Sequence, residues 1–201
     1  MTTFLLIRHG ATVQLGVVIS GRATGIGLSA EGRRQAADLA VRLGGMAIGA
    51  IYSSPLDRTR ETAAPLARRL GLRVRTRPEL VEIDYGRWTG ESLEGLRTDD
   101  RWRRYNELRS RARIPGGEMM LEAQVRAVVA LEALHESHPE GLVAVVSHGD
   151  VIRAALAHYA GIPLDLAHRL EIAPASVSVL ELAPGGARLL ALNHQGPAPL
   201  R

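Results

Sequence analysis

Two places in the chain set a histidine beside a glycine directly behind an apolar run. Arg8-His9-Gly10 follows residues 4–7, and His148-Gly149-Asp150 follows residues 142–147. A neutral imidazole is both a nucleophile and a proton carrier near pH 7. Strand ends are where open α/β sheets hold their ligands, so two such runs lying side by side would bring both rings to one crevice. Arg58 falls in the first turn of a helix predicted just after a further strand, which aims it at the same edge. Guanidinium forks combined with helix N-terminal amides make a cradle for phosphate. On the residues alone the plainer alternatives stay open. Either histidine could be a satisfied core residue, the glycines could only turn the chain, and two histidines with Asp150 are an incomplete metal ligand set.

The elements that must position these groups follow from the apolar pattern. Residues 4–7 predict a short buried strand. A helix follows from about Ser29, an N-cap with Glu31 in the first turn, and Ala36, Leu39, Ala40 and Leu43 share one face of it before Gly44 and Gly45. Residues 51–53 predict a second strand. Ser54 then reads as a cap and Pro55 as the first residue of a helix that runs to Leu70 and stops at Gly71. Residues 72–77 alternate like a third strand. The stretch 91–120 is polar and arginine-rich, with helical turns bounded by Pro115, Gly116 and Gly117, and helical periodicity returns over 121–135. The nearly continuous apolar run 142–147 is the pattern of a central parallel strand, and a helix over 151–159 follows it, with Gly161 as its stop. Residues 176–182 and 187–192 flank Pro184-Gly185-Gly186 as a hairpin. Strands alternating with helices predict an α/β sheet covered on both faces.

Composition narrows the chemistry. The 201 residues, 46% of them hydrophobic, suffice for one large domain over 1–201 with a substantial core. There is no cysteine, which excludes disulfides, thiol nucleophiles and cysteine-bound zinc. All 25 basic residues are arginine, so Schiff-base chemistry and a phosphate-loop lysine are excluded too. The net charge of +4 mildly favours an anionic partner. No apolar run is long enough for a membrane span, and Arg8 interrupts the first one too early for a signal peptide. No membrane partner and a cytoplasmic location are therefore expected.

Several segments together carry a resemblance. LLIRHGAT at 5–12, SSPLDRTRETA at 53–63, VEIDYGRWTG at 81–90 and VSHGDVIRAAL at 146–156 resemble, in order, the signatures of the histidine phosphatase superfamily, also called phosphoglycerate-mutase-like. LSAEGRRQA at 28–36 and PGGE at 115–118 belong to the same pattern. The resemblance implies a three-layer α/β/α sandwich with a mostly parallel central sheet. It implies a phosphatase that hydrolyses a small-molecule phosphate monoester through a phosphohistidine, with no cofactor and no metal. His9 would be the nucleophile, Arg8 and Arg58 would bind phosphate oxygens, and His148 would complete the electropositive pocket. Glu82 would protonate the leaving oxygen and then activate water; the residues alone do not choose it over Glu79, Asp84 or Glu91. Arg22, Thr12 and Glu118 would contact substrate, the segment around 91–120 would cover the site, and Trp88 is expected to pack in the core.

Two positions depart from that pattern. Many relatives carry Glu where this chain has Ala11, and Asn where it has Leu15. Leucine cannot supply the asparagine's hydrogen bond to phosphate, so positioning must pass to Arg22 or to backbone donors. The loss favours hydrolysis over a mutase, which has to retain and reorient a doubly phosphorylated intermediate. Cofactor-dependent mutase-type phosphoryl transfer is one alternative; a non-catalytic protein that binds a phosphorylated ligand is another. RWRRYNELRSRAR at 101–113 interleaves Trp102 and Tyr105 with basic charge, as nucleic-acid binders do. Asp99, Asp100 and Glu107 offset that charge and no binding motif accompanies it, so no nucleic-acid partner is expected. A homodimer is the one macromolecular association left open.

Overall fold

The computed structural model describes residues 1–197. Six strands, β1 (Thr2–Arg8), β2 (Ala50–Ser53), β3 (Val74–Thr76), β4 (Leu142–Ser147), β5 (Val177–Ala183) and β6 (Gly186–His194), form one sheet in the order β3-β2-β4-β1-β5-β6. β3, β2, β4 and β1 pair in parallel, whereas β5 runs antiparallel to β1 and turns back as a hairpin into β6. The register of the central pair sets Arg8 opposite Ser147, so both strands end at the same level. That coincidence is what brings the two histidine segments together.

Successive side chains of a strand point to opposite faces, and here both faces are apolar. Leu5, Ile7, Ile51, Ala144 and Val146 pack on one side against Leu39 and Leu43 of α1 (Ala30–Leu43) and Ala63 and Leu66 of α2 (Asp57–Leu70). Leaving two short helices, α3 (Leu93–Leu96) and α4 (Asp100–Glu107), for the segment that precedes it, the chain then forms α5 (Met120–Ser137) and, after β4, α6 (Gly149–Tyr159). Phe4, Leu6, Tyr52, Val143 and Val145 pack on the other side with Leu131 of α5 and Ile152 and Leu156 of α6. The result is the expected three-layer α/β/α sandwich. Among the described residues no helix is long and apolar enough to cross a membrane.

Most helix boundaries follow the local signals. Ser29 Oγ accepts from the Gly32 N–H at 3.1 Å, the cap expected of it. Gly71 closes α2 with φ of 67°, a left-handed conformation that glycine adopts without a Cβ penalty. Three expectations are corrected. α2 starts at Asp57, not Pro55, with Leu56 as its uncapped N-cap residue, because the Ser54 hydroxyl is engaged elsewhere. β3 keeps only three of the six residues read as strand, 72–77. α6 starts at Gly149 rather than Val151, which makes His148 itself the N-cap residue.

Candidate active site

His9 sits one step past the end of β1, and its surroundings hold it there. Its N–H donates to the Ser147 carbonyl at 3.0 Å, extending the β1–β4 ladder by one rung. The next amides are tied to both helices of one layer: Gly10 N–H donates to Thr62 Oγ1 at 3.0 Å and Ala11 N–H to Gln35 Oε1 at 2.9 Å. α1 can press this closely only because two glycines face each other. A Cβ on Gly10 would stand 2.7 Å from the Gly32 carbonyl oxygen, and one on Gly32 would overlap the Ala11 carbonyl.

His9 is only 6% exposed. Its Nδ1 lies 2.7 Å from the Gly10 carbonyl oxygen, an acceptor, so Nδ1 carries the proton and Nε2 keeps a bare lone pair. Burial, reinforced by the Arg58 charge, pulls its pKa down to about 3, which leaves the ring neutral throughout the neutral pH range. The His148 ring stands 5.3 Å away, centroid to centroid, inclined at 62°. His148 Nε2 lies 2.8 Å from Ser54 Oγ, and that oxygen already accepts from the Leu56 N–H. Ser54 Oγ has no other acceptor within reach among the described residues, so we assign its proton to Nε2 and the proton of neutral His148 to Nδ1. That Nδ1 is buried without a partner among the described residues and lies 3.8 Å from Glu82 Oε2. Burial, with Arg58 and His9 beside it, keeps the His148 pKa well below the ordinary histidine value.

Two arginines complete the floor. Arg58, 1% exposed, spends Nη2 on the Gly21 carbonyl at 2.7 Å and leaves Nη1 buried and unpartnered. Arg8 donates from Nη1 to the Ile172 carbonyl at 2.6 Å and leaves Nε likewise unpartnered. The bare Cα of Gly149 makes room for it, since a Cβ there would lie 3.2 Å from Arg8 Nε. A buried donor without an acceptor is costly, and three of them on residues neighbouring His9 make a set suited to an anion.

Glu82 arrives from a loop that four groups clamp. Arg126 of α5 donates from Nη1 to the Glu79 and Val81 carbonyls, each at 2.6 Å, and pairs through Nη2 with Glu118 Oε1 at 2.8 Å. Glu118 accepts from the Asp84 N–H at 3.0 Å and pairs with Arg22 at 3.0 Å, while Arg22 Nε donates to the Glu82 carbonyl at 2.9 Å. Ser147 Oγ donates to the Leu80 carbonyl at 2.8 Å, fastening the loop to the end of β4. Burial, then the Asp150 charge, raise the Glu82 pKa to about 7 against the opposing pull of Arg58. A carboxyl with that pKa is half protonated at neutral pH, the condition a group needs to serve as acid and then as base.

Arg8, His9, Thr12, Arg58 and Glu82 all line one cavity of about 490 Å³, and His148 lies buried among them. Arg22 and Glu118, expected as substrate contacts, do not line it; their charged ends are spent on one another and on the Glu82 loop. Trp88 packs in the core as expected, edge-to-face with Trp102 at 5.2 Å. Sequence reasoning missed much of the remaining wall. Asp150, weighed only as a metal ligand, accepts from Tyr85 at 2.6 Å, Arg153 at 2.8 Å and Arg109 at 3.1 Å. Burial alone would raise the Asp150 carboxyl, but the two arginines outweigh it and hold it well below the carboxylate range. Ser54 is visible as the residue just past β2, and Arg153 as one helical turn beyond Asp150; Tyr85 and Arg109 lie in segments the sequence singles out without marking them as site residues, and Arg126 carries no signal. Among the described residues no three His, Asp or Glu side chains group so as to hold a metal ion.

A strand-end histidine with a bare nitrogen, two guanidiniums and a neutral-range carboxyl on an α/β/α sandwich define a phosphoryl-transfer protein. The chain belongs to the histidine phosphatase superfamily (branch 1), whose description matches residues 4–195. It is 33% identical over 159 residues to phosphoserine phosphatase 1 of Hydrogenobacter thermophilus, covering 77% of this chain and 74% of that one. It is 35% identical over 152 residues to the "Probable phosphoglycerate mutase GpmB" of Yersinia enterocolitica, covering 74% and 70%. Among solved structures it resembles a mycobacterial glucosyl-3-phosphoglycerate phosphatase with a TM-score of 0.86 and 28% identity, covering 95% of this chain and 98% of that one. The chain is accordingly a phosphoric monoester hydrolase of the histidine phosphatase type.

Proposed function

We propose that the chain hydrolyses a small-molecule phosphate monoester in two displacements through a phosphohistidine on His9. The observation that carries this is the bare His9 Nε2 among the unpartnered donors Arg8 Nε, Arg58 Nη1 and His148 Nδ1. The donors bind the equatorial oxygens and neutralise charge that builds in the transition state. The Nε2 lone pair forms the P–N bond as the P–O bond to the leaving oxygen breaks. Glu82 gives that oxygen its proton and the alcohol departs. Glu82, now a carboxylate, takes a proton from water; the water oxygen attacks phosphorus, the P–N bond breaks, and phosphate leaves with Glu82 protonated again. Thr12 contacts the phosphoryl group, and the segment around 91–120 shields the cavity from bulk water. Arg22 and Glu118 act through the loop that presents Glu82.

A mutase would need a second phosphate seat beside the first. Here the further guanidiniums at the cavity, Arg109 and Arg153, are both committed to Asp150, which supports hydrolysis instead. A panel of phosphate esters assayed for released phosphate tests this. Wild-type chain is expected to release phosphate from at least one ester and His9→Ala from none. Isomerisation of a phosphoglycerate without net release would contradict it.

A further inference from the structure

Above the floor, most polar side chains of the cavity are already spent on one another. Ser20 Oγ donates to Gln14 Oε1 at 2.8 Å. Asp150 is saturated by Tyr85, Arg109 and Arg153, and Asn106 Oδ1 accepts from Arg109 Nη2 at 2.9 Å. Arg109 Nε, buried without a partner among the described residues, belongs to a guanidinium stacked over the Tyr105 ring at 5.4 Å, and Arg153 also spends Nε on the Leu170 carbonyl at 2.8 Å. The rest of the wall is mostly apolar, formed by Leu15, Val18, Ile19, Leu93 and the ring of Trp102.

This apolar wall is preformed. The turn that carries it is stitched to the following segment by Ile19 N–H to the Glu91 carbonyl at 2.9 Å, Gly90 N–H to the Ile19 carbonyl at 2.8 Å and Leu93 N–H to the Val17 carbonyl at 2.9 Å. Trp102 is oriented by its edge-to-face contact with Trp88. Leu15 nonetheless stays 38% exposed, and the same turn leaves Val13 at 80% and Val17 at 58%. A rigid apolar surface beside an anion seat gains by being covered, at no ordering cost to the protein. A polyol seated there would give up hydrogen bonds to water and find few in return.

We infer that the cavity selects phosphate monoesters whose leaving group lays an aromatic or hydrocarbon face against Leu15, Leu93 and Trp102. This rests on the phosphatase assignment and names the substrate class of the same site. Leu15, 38% exposed on that wall, is then a specificity determinant.

The test compares 2-phenylethyl phosphate with ethyl phosphate, whose alcohols differ little in acidity, and with glucose 6-phosphate as a polar ester of similar bulk. Dissociation constants are measured calorimetrically on the His9→Ala chain and kcat/KM on the wild type. 2-Phenylethyl phosphate is expected to bind about tenfold or more tightly than either of the others. Adding Leu15→Asn, or Leu93→Gln, is expected to shrink that ratio about fivefold, and a ratio is insensitive to how much of a variant is folded. Equal binding of the three esters, preference for glucose 6-phosphate, or a ratio unchanged in both variants would overturn the inference. Phosphate release at equal rates from all three sinks the selectivity and leaves the phosphatase standing. Selective binding with no release from any ester does the reverse.

Discussion

The floor of the cavity hangs on the sheet, whereas its wall hangs on two loops. His9 and His148 follow adjacent strands in fixed register, and every amide from His9 to Ala11 is hydrogen-bonded to β4, α2 or α1. Three buried polar groups there, Arg8 Nε, Arg58 Nη1 and His148 Nδ1, have no partner among the described residues. The wall differs in both respects: much of its backbone belongs to turns and short helices, most of its polar side chains are internally paired, and its free surface is mostly apolar. Chemistry common to any phosphate ester is thus assigned to the rigid layer, and choice among esters to an added segment, in the way loops on a fixed scaffold carry selectivity.

If that division holds, floor variants damage every ester alike and wall variants change ratios. The largest effect apart from loss of His9 is expected from Glu82→Gln, about 10³-fold in kcat on alkyl esters, because an alkoxide is a poor leaving group without a proton. The pH dependence has a definite sign. Glu82 must be protonated for the first displacement and its pKa is about 7, so kcat/KM on alkyl esters should fall about tenfold per unit above pH 7. A profile of the Gln variant should lack that limb.

Arg58→Lys comes next, at about 10²-fold in kcat/KM across an ester panel, since an ammonium keeps the charge but not the fork that donates to Gly21 and phosphate at once. A loss confined to one class of ester would break the comparison. Arg126→Met sits a layer further out and should cost about tenfold in kcat with little change in KM, by loosening the Glu82 loop. Restoring hydrogen bonding with Arg126→Lys should recover part of it, which a purely destabilised fold would not show.

A separate effect, on stability and not on turnover, follows from His9. Folded His9 has a pKa of about 3 against 6.5 for the free side chain, so between those values the unfolded chain binds a proton that the folded chain does not. Its contribution to stability is therefore intact above pH 6.5 and is lost as the pH falls toward 3. Thermal melts of wild type and His9→Asn should diverge over that window, the variant losing less.

The same division explains what could be read from the sequence. β1 and β4 are unbroken apolar runs because both faces of the sheet are covered, and the groups that follow them had no other edge to occupy. Ser29 and Gly71 acted through local geometry and were legible as cap and stop. Ser54 was misread because a serine before a helix is an ordinary cap, and only the fold brings His148 to it across 94 residues. Arg109 sits in a run of exposed arginines in which Arg101 and Arg103 pair with Asp99 and Asp100. That it alone turns inward is decided by Asp150, 41 residues away. Arg22 and Glu118 matched the family pattern, but spacing does not tell a residue that touches substrate from one that holds the loop behind it.

The central claim is that His9 Nε2 carries the phosphoryl group between the two displacements. Mixing the chain with an ester, quenching in alkali within one turnover and sequencing the peptides by mass spectrometry tests it most directly. Phosphate on the His9 peptide, lost on acid treatment and absent from the His9→Ala chain, is the predicted result. Turnover of the ester with no phosphorylated His9 at any time point would contradict it.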